Sequence, residues 1–326
     1  MVCRKSKTRI KSSMKILVTG SEGNIGWYIV RSLKNAHPDA NIVGVRHTET
    51  DLTNNSDTKN LLIREKPDYV IHAAAMSYNI KDLINRQYDI FSNDNAMFMN
   101  VIDGCIDAGT KKIIYLSSST VYENVVGSPF REEQTETSPA PISSIGLSKF
   151  TGERALSFVK NQSGIDFTIW RLFNVVSPRE DHSKPGAHVY VDFYRKLFVE
   201  RVPIFEIFGD GKQVRNFTWV EDVADTITKH LKDPATSGQA FNLGGEESRS
   251  LLELKKLMLK IGKEKQILPE NYDPEIKTGE TFSGTDVQKR IPCLEKIKNI
   301  LNWKNPTGFE SCIERFVTEK QLYADK

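Results

Sequence analysis

The stretch Lys15-Ile16-Leu17-Val18-Thr19, followed by Gly20, Gly23 and Gly26, constrains the fold of this chain more than any other. A run of aliphatic and β-branched residues reads as a buried strand. Glycines at three-residue intervals allow a tight turn that hands the chain to a helix. In the segment that follows, Asn24–Asn35, the residues Ile25, Ile29, Val30 and Leu33 fall on one helical face.

The same alternation continues. Strand-like runs are Lys15–Thr19, Ile42–Val45, Tyr69–Ala73, Ile113–Ser117 and Phe167–Leu172, and helix-like segments are Asn24–Asn35, Asp57–Glu65, Asn93–Ala108 and Ser144–Lys160. Strand then helix, repeated, predicts an α/β chain with a doubly wound, Rossmann-type parallel sheet. Ligands of such sheets bind beyond the carboxyl ends of the strands. After about residue 175 the alternation weakens, and Ser177–Gly211 mixes aromatics, prolines and charges. A helix-like stretch, Leu251–Ile261, follows Phe241-Asn242-Leu243-Gly244-Gly245. We expect a flexible basic extension over 1–13, a dinucleotide-binding domain over 14–175, and a smaller mixed α/β substrate region over 176–326. That boundary is soft, because strands of the later half can return to the main sheet.

Placed between a strand and an amphipathic helix, the glycine turn predicts a nicotinamide dinucleotide site. Backbone at Gly20, Gly23, Asn24, Ile25 and Gly26 would approach the pyrophosphate, which rests on the unpaired N–H groups of the helix start. A purely structural turn is the alternative. The spacing is GxxGxxG rather than GxGxxG. An acid at the end of the second strand favours a free ribose 2′-hydroxyl, and an arginine accommodates a 2′-phosphate. Here Val45-Arg46-His47 ends that strand, with no acid until Glu49. Arg46 therefore tilts the expectation toward NADP over NAD; a solvated surface arginine is the other reading.

Composition excludes several classes. A net charge of +3 is too small to argue for nucleic acid or a membrane surface, and much of the basic excess sits in Arg4, Lys5, Lys7, Arg9 and Lys11, before a second methionine at Met14. No apolar run approaches the roughly 18 residues of a membrane span. Cys3, Cys105, Cys293 and Cys312 are scattered, without metal-ligand spacing. They read as reduced thiols in a cytoplasmic protein with no metal site.

Further motifs follow in order. They are Asp51-Leu52; His72-Ala73-Ala74-Ala75; Ser117-Ser118-Ser119-Thr120-Val121-Tyr122; Lys149-Phe150-Thr151-Gly152-Glu153; Arg171-Leu172-Phe173-Asn174-Val175; Gly209-Asp210-Gly211; Arg215-Asn216-Phe217-Thr218-Trp219-Val220-Glu221-Asp222-Val223; and Leu301-Asn302-Trp303. This ordered set resembles the extended short-chain dehydrogenase/reductase family of NAD(P)-dependent nucleotide-sugar epimerases and dehydratases, from Met14 to about Phe316. The resemblance implies that Asp51 and Leu52 lie beside adenine and that Ala73, Ala74 and Ala75 line the cofactor. Ser118 would align a sugar hydroxyl, with Ser119 beside it. Lys149 would hold the nicotinamide ribose and supply a cation. Asn174 and Arg215 would contact the sugar or its diphosphate, for which a guanidinium is well shaped.

One residue departs from the pattern. A tyrosine four positions before the lysine normally takes the hydroxyl proton as hydride leaves, and here that position is Ile145. General acid–base help is worth roughly 10²–10⁴-fold. Two outcomes stay open: an enzyme of modified chemistry, for which relatives with methionine at this position set a precedent, or a non-catalytic protein that binds dinucleotide and nucleotide sugar. The 4,6-dehydratases of the family carry an Asp-Glu pair where this chain has Ser119 and Thr120, so that reaction is disfavoured. Epimerisation, reduction or an atypical dehydration remain.

Asp94 stands where relatives often have asparagine. It reads first as a solvated helix-start residue and second as a replacement acid/base. The charged stretch from Arg179 to Tyr190, with Pro185-Gly186, reads as a substrate-covering loop whose His182 and His188 face water. By family analogy a homodimer would form through the helices containing Asn93–Ala108 and Ser144–Lys160.

Overall fold

The computed structural model describes residues 13–76, 85–183, 188–279 and 288–323. The basic run Arg4 to Lys11, and Pro185-Gly186 of the expected covering loop, lie outside the described residues.

Six strands form one all-parallel sheet: β1 (Lys15–Thr19), β2 (Asn41–Val45), β3 (Tyr69–His72), β4 (Lys112–Ser118), β5 (Asp166–Leu172) and, from the later half, β10 (Gln239–Leu243). Their order is β10-β5-β4-β3-β1-β2. Strand β1 runs between β2 and β3, so the chain reverses its winding there, which opens a crevice at the carboxyl ends of β1 and β3. In register, Thr19 stands beside His72, and His72 beside Tyr115, at that edge.

The helices between strands are α1 (Gly26–Ala36), α2 (Asn55–Glu65), α3 (Gln87–Ala108) and α4 (Ser144–Ser163). The strand period of two sends side chains to opposite faces. Ile16, Val18, Ile71, Ile114, Leu116 and Trp170 join one core with Ile29 and Leu33 of α1. Leu17, Val70, Ile113, Tyr115 and Ile169 join the other with Leu61, Met97, Phe98, Val101 and Leu156 of α2, α3 and α4. Each fully buried large aliphatic side chain contributes about 1.5–3 kcal/mol, and helices cover both faces, which is the condition a parallel sheet requires.

Helix α3 begins at Gln87 rather than Asn93. Its first turn is held by Arg86 bonding Asp89 and by Ile90, which is buried, although Gln87, Tyr88 and Asp89 are exposed and carry no apolar periodicity.

The later half adds β6 (Val175–Val176), α5 (Val189–Tyr194), β7 (Ile204–Phe208), β8 (Val214–Asn216), β9 (Thr218–Trp219), α6 (Val220–Lys229), β11 (Ser248–Ser250), α7 (Leu251–Glu264), β12 (Glu275–Gly279), β13 (Lys289–Arg290), α8 (Glu295–Leu301) and α9 (Phe309–Lys320). Three small sheets result: β11-β8-β13, β12-β7 and β6-β9. Among the described residues no helix is long and apolar enough to cross a membrane. Cys105, Cys293 and Cys312 are free, buried thiols.

Candidate active site

The glycine turn packs against the exit of β3. Gly20 has a positive φ of 65°, and a Cβ there would sit 2.8 Å from the Ala74 nitrogen. A Cβ on Gly26 would fall 2.0 Å from the Gly20 carbonyl oxygen. Gly23 N donates to that same oxygen at 3.0 Å. Helix α1 starts with Ile25 at its cap and no side chain capping it. Trp27 N donates to Gly23 O at 3.2 Å, and no side chain accepts from the helix start, which follows directly on the end of β1, a setting suited to an anion. Gly23 and Asn24 are exposed there. The turn thus fits a dinucleotide pyrophosphate.

Thr19, which the motifs did not single out, ties the two strands of the crevice together. Its hydroxyl lies 3.0 Å from His72 Nδ1 and accepts from Ala74 N at 3.2 Å. Burial, with repulsion from the Lys149 ammonium, holds His72 down at about 3, so the imidazole is neutral. Ala73 and Ala74 are half-buried and Ala75 is exposed at the mouth of the crevice.

At the end of β2, Arg46 is exposed and paired with two carboxylates, Glu22 of the glycine turn at 3.3 Å and Glu49. Asp51 is exposed and accepts from Thr53 N at 2.9 Å and from the Thr53 hydroxyl at 2.7 Å. These bonds hold its carboxyl below the usual range. Leu52 is buried, and its carbonyl accepts from Asn100 Nδ2.

Ser118 ends β4, and its hydroxyl accepts from Thr120 N at 3.2 Å. Ser119 is buried and begins a single 3₁₀ turn. Lys149 lies on α4, whose start is capped by Ser143 accepting from Gly146 N. Lys149 Nζ donates to Leu116 O at 3.0 Å and stands 5.1 Å from the centre of the Tyr115 ring. Its ammonium is depressed by desolvation, with Asp94 and Glu153 pulling the other way. Ile145, one turn before Lys149, is 9% exposed.

Asp94 differs from its expected solvated position. It lies on the second turn of α3, is 9% exposed, and accepts from Met76 N through Oδ1 at 2.7 Å. The extra turn at the start of α3 carries it inward against the strand ends. Local sequence concealed this, because Asn93-Asp94-Asn95 is polar throughout.

Toward the later half, Asn174 has a positive φ of 29° and donates from Nδ2 to Asn216 O at 2.8 Å. Arg215, on β8, is 9% exposed and donates to Val214 O. His188 is exposed, as expected, and its Nδ1 lies 2.6 Å from Glu180 Oε1, which raises the imidazole. Glu180 also accepts from Tyr190. His182 is half-buried beside Tyr194.

The chain matches the profile of the NAD dependent epimerase/dehydratase family over residues 16–244. It is 27% identical over 252 residues to a GDP-L-fucose synthase of Sinorhizobium fredii, covering 76% of this chain and 79% of that protein. It is 28% identical over 305 residues to an uncharacterized UDP-glucose epimerase of Bacillus subtilis, covering 85% and 90%. A solved UDP-glucose 4-epimerase of Thermotoga maritima with UDP-glucose superposes with a TM-score of 0.82 at 25% identity, over 96% of this chain and 100% of that one. A GDP-6-OMe-4-keto-L-xylo-heptose reductase of C. jejuni shares the fold, with a TM-score of 0.83 at 19% identity over 95% of this chain and 98% of its own.

Proposed function

This chain belongs to the NAD-dependent epimerase/dehydratase family, and from that premise we propose that it modifies a nucleotide-activated sugar in an epimerase-type reaction, an atypical dehydration or a reduction. The observation that supports the reading is that the uncapped start of α1, just past β1, and Ser118, at the end of β4, fall on the same edge of the parallel sheet, with Lys149 Nζ bonded to Leu116 O of β4. When bound, the nicotinamide dinucleotide supplies reversible hydride exchange with a sugar carbon. Backbone of Gly20, Gly23, Asn24, Ile25 and Gly26 holds its pyrophosphate, Asp51 and Leu52 border its adenosine, and Ala73, Ala74 and Ala75 line it. Ser118, with Ser119 beside it, orients the sugar hydroxyl, and Lys149 holds the ribose and the developing negative charge. Asn174 and Arg215 contact the sugar diphosphate.

Ile145 takes the tyrosine's place, so proton transfer cannot run through a phenol at that position. Ser119 and Thr120 in place of an Asp-Glu pair argue against 4,6-dehydration. Arg46 supports NADP, while Glu22 and Glu49 beside it resist a second phosphate, so both dinucleotides are tested. Exposed Tyr88 and Ile106 on α3 and Phe158 on α4 support a homodimer through these helices.

Ile145 also favours a second reading, a non-catalytic binder of dinucleotide and nucleotide sugar. Incubation with UDP-, GDP- and dTDP-sugars and each dinucleotide, followed by cofactor absorbance and product mass, separates the two. Turnover of any sugar supports the enzyme. Saturable binding of sugar and dinucleotide with no product supports the binder.

A further inference from the structure

We infer that Asp94 is the counter-charge of Lys149, a positioning residue that holds the lysine as an ammonium and so acts on the substrate through it. The inference builds on the site reading above. It starts from a cost. Asp94 is 9% exposed, and its Oδ2 is buried with no hydrogen-bond partner among the described residues. A buried, half-satisfied carboxylate is expensive unless a cation compensates it. The bond from Met76 N to Oδ1 does not account for the charge, because an asparagine oxygen would accept it equally well.

Lys149 has the complementary deficit. Its described partners are a neutral carbonyl, Leu116 O, and the face of the Tyr115 ring. The titratable groups around the two are few. Glu153, on α4, is already engaged by Arg171 and by the Ser117 hydroxyl. Tyr115, on β4, is held well above its usual range by burial and stays neutral. His72, on β3, is held down at about 3 and is neutral too. Helix α2 meets α3 farther along, where Asn55 bonds Asn100 and Lys59 pairs with Asp107. Asn95 Nδ2 donates to Ser148 Oγ at 3.2 Å, which sets α3 against α4 one residue away from Asp94 and Lys149. Among the described residues Asp94, whose Oδ2 has no hydrogen-bond partner, is then the carboxylate left to offset Lys149. Burial pushes its carboxyl up, and Lys149 pulls it back. The two groups act at a distance, with no direct hydrogen bond joining them.

In a site with Ile145 in place of a phenol, the consequence is chemical. A sugar hydroxyl that gives hydride to a nicotinamide must also give up its proton, here to water. The alkoxide so formed is negative, and an ammonium held by Asp94 would stabilise it without itself taking the proton.

The test uses the full-length, cofactor-free protein with ¹⁵Nζ-lysine and ¹³Cγ-aspartate labels. NMR titration of Lys149 in wild type and Asp94→Asn should show the lysine titrating about one pH unit lower in the variant. The reciprocal measurement, Asp94 in Lys149→Met, should show the carboxyl titrating higher by a similar amount, because coupling is mutual. That second variant keeps the question open to test if Asp94→Asn fails to fold. Where a sugar turns over, the high-pH limb of kcat/KM should move down by the same unit in Asp94→Asn and return in Asp94→Glu. Titrations of both groups that stay within about 0.3 unit of wild type would overturn the inference. Because the NMR arms need no substrate, their failure is distinct from failure of the enzymatic reading.

Discussion

Arg171 and Glu153 form a two-pronged ion pair under the site, with Nη2 to Oε2 at 2.7 Å and Nε to Oε1 at 3.0 Å, and both side chains are buried. The pair anchors more than itself. Ser117 donates to Glu153, and Arg171 donates to the Tyr122 hydroxyl, the Glu132 carbonyl and the Thr135 hydroxyl. Tyr122 in turn donates to Asn242 of β10 at 2.6 Å. The network therefore ties β4, α4, β5 and β10 beneath Ser118 and Lys149. Removing one partner strands the other charge in the interior. Glu153→Ala should cost about 3–5 kcal/mol in urea unfolding. The double change Glu153→Leu with Arg171→Met should cost clearly less than Glu153→Ala. Equal losses would mean that the charges are solvated.

His72 makes stability depend on pH in a defined window. Its folded value is about 3 against an ordinary 6.5, so the unfolded chain binds a proton that the folded chain refuses. The contribution is complete above the unfolded value and declines as pH falls from about 6.5 toward 3, by up to ~1.4 kcal/mol per pH unit. Unfolding free energies of wild type and His72→Gln at pH 7, 6 and 5 should converge as pH falls. Parallel curves would show that His72 protonates freely in the folded protein.

Much of this was legible in the sequence, for a physical reason. The strands β1 to β5 are continuous apolar runs and the glycine turn has few uses, so sheet, crevice and α1 follow from local pattern. The positions of Ser118, at the end of β4, and Lys149, on α4, could be read because each ends or lies on such an element. The rest depends on contacts far apart in sequence. Joining of β10 to β5 could be left only as an option, since Gln239–Leu243 is short and pairs with residues about seventy positions earlier. Asp94 carries a polar tripeptide inward on a helix that starts at Gln87. The partners of Arg171 come from three separate segments. Thr19 was missed although its hydroxyl ends β1 beside a histidine motif, a spacing that could have flagged it.

The glycine turn gives a graded prediction. A methyl at Gly26 would overlap a backbone carbonyl at 2.0 Å, which cannot rotate away, whereas one at Gly23 would meet the same oxygen at 3.2 Å. Gly26→Ala should therefore open the turn, weaken dinucleotide binding at least about tenfold and cost roughly 1–3 kcal/mol. Gly23→Ala should do much less to stability. Calorimetric titration with NAD and NADP, beside thermal melts, checks both. Comparable effects at the two positions would mean that the turn does not hold the packing described.

Arg46 is shared between Glu22 and Glu49 at the end of β2. If the adenosine ribose lies there, Glu49→Gln should free the guanidinium and remove a repelling charge. NADP should then bind about two- to fivefold tighter while NAD changes little, and the gain should fade with salt. Arg46→Ala should weaken NADP more than NAD. Equal changes for both dinucleotides would place the 2′ position elsewhere.

If Ile145 redirects the chemistry proposed for this site, restoring a phenol tests it. The residue sits at the start of α4, one turn before Lys149, and is 9% exposed, so a tyrosine ring must find space toward the crevice. Some overpacking is expected, about 1–3 kcal/mol. A phenol placed near the Lys149 ammonium should ionise more easily than in water and accept a hydroxyl proton. On whichever nucleotide sugar the wild type turns over or binds, Ile145→Tyr should raise the hydride-transfer rate by roughly 10²–10⁴-fold, read as cofactor absorbance in single-turnover mixing. The idea that Ile145 redirects an otherwise intact site fails if the variant keeps its fold and its dinucleotide affinity yet shows no faster hydride transfer. That result would move the proton chemistry of this protein away from the α4 helix altogether.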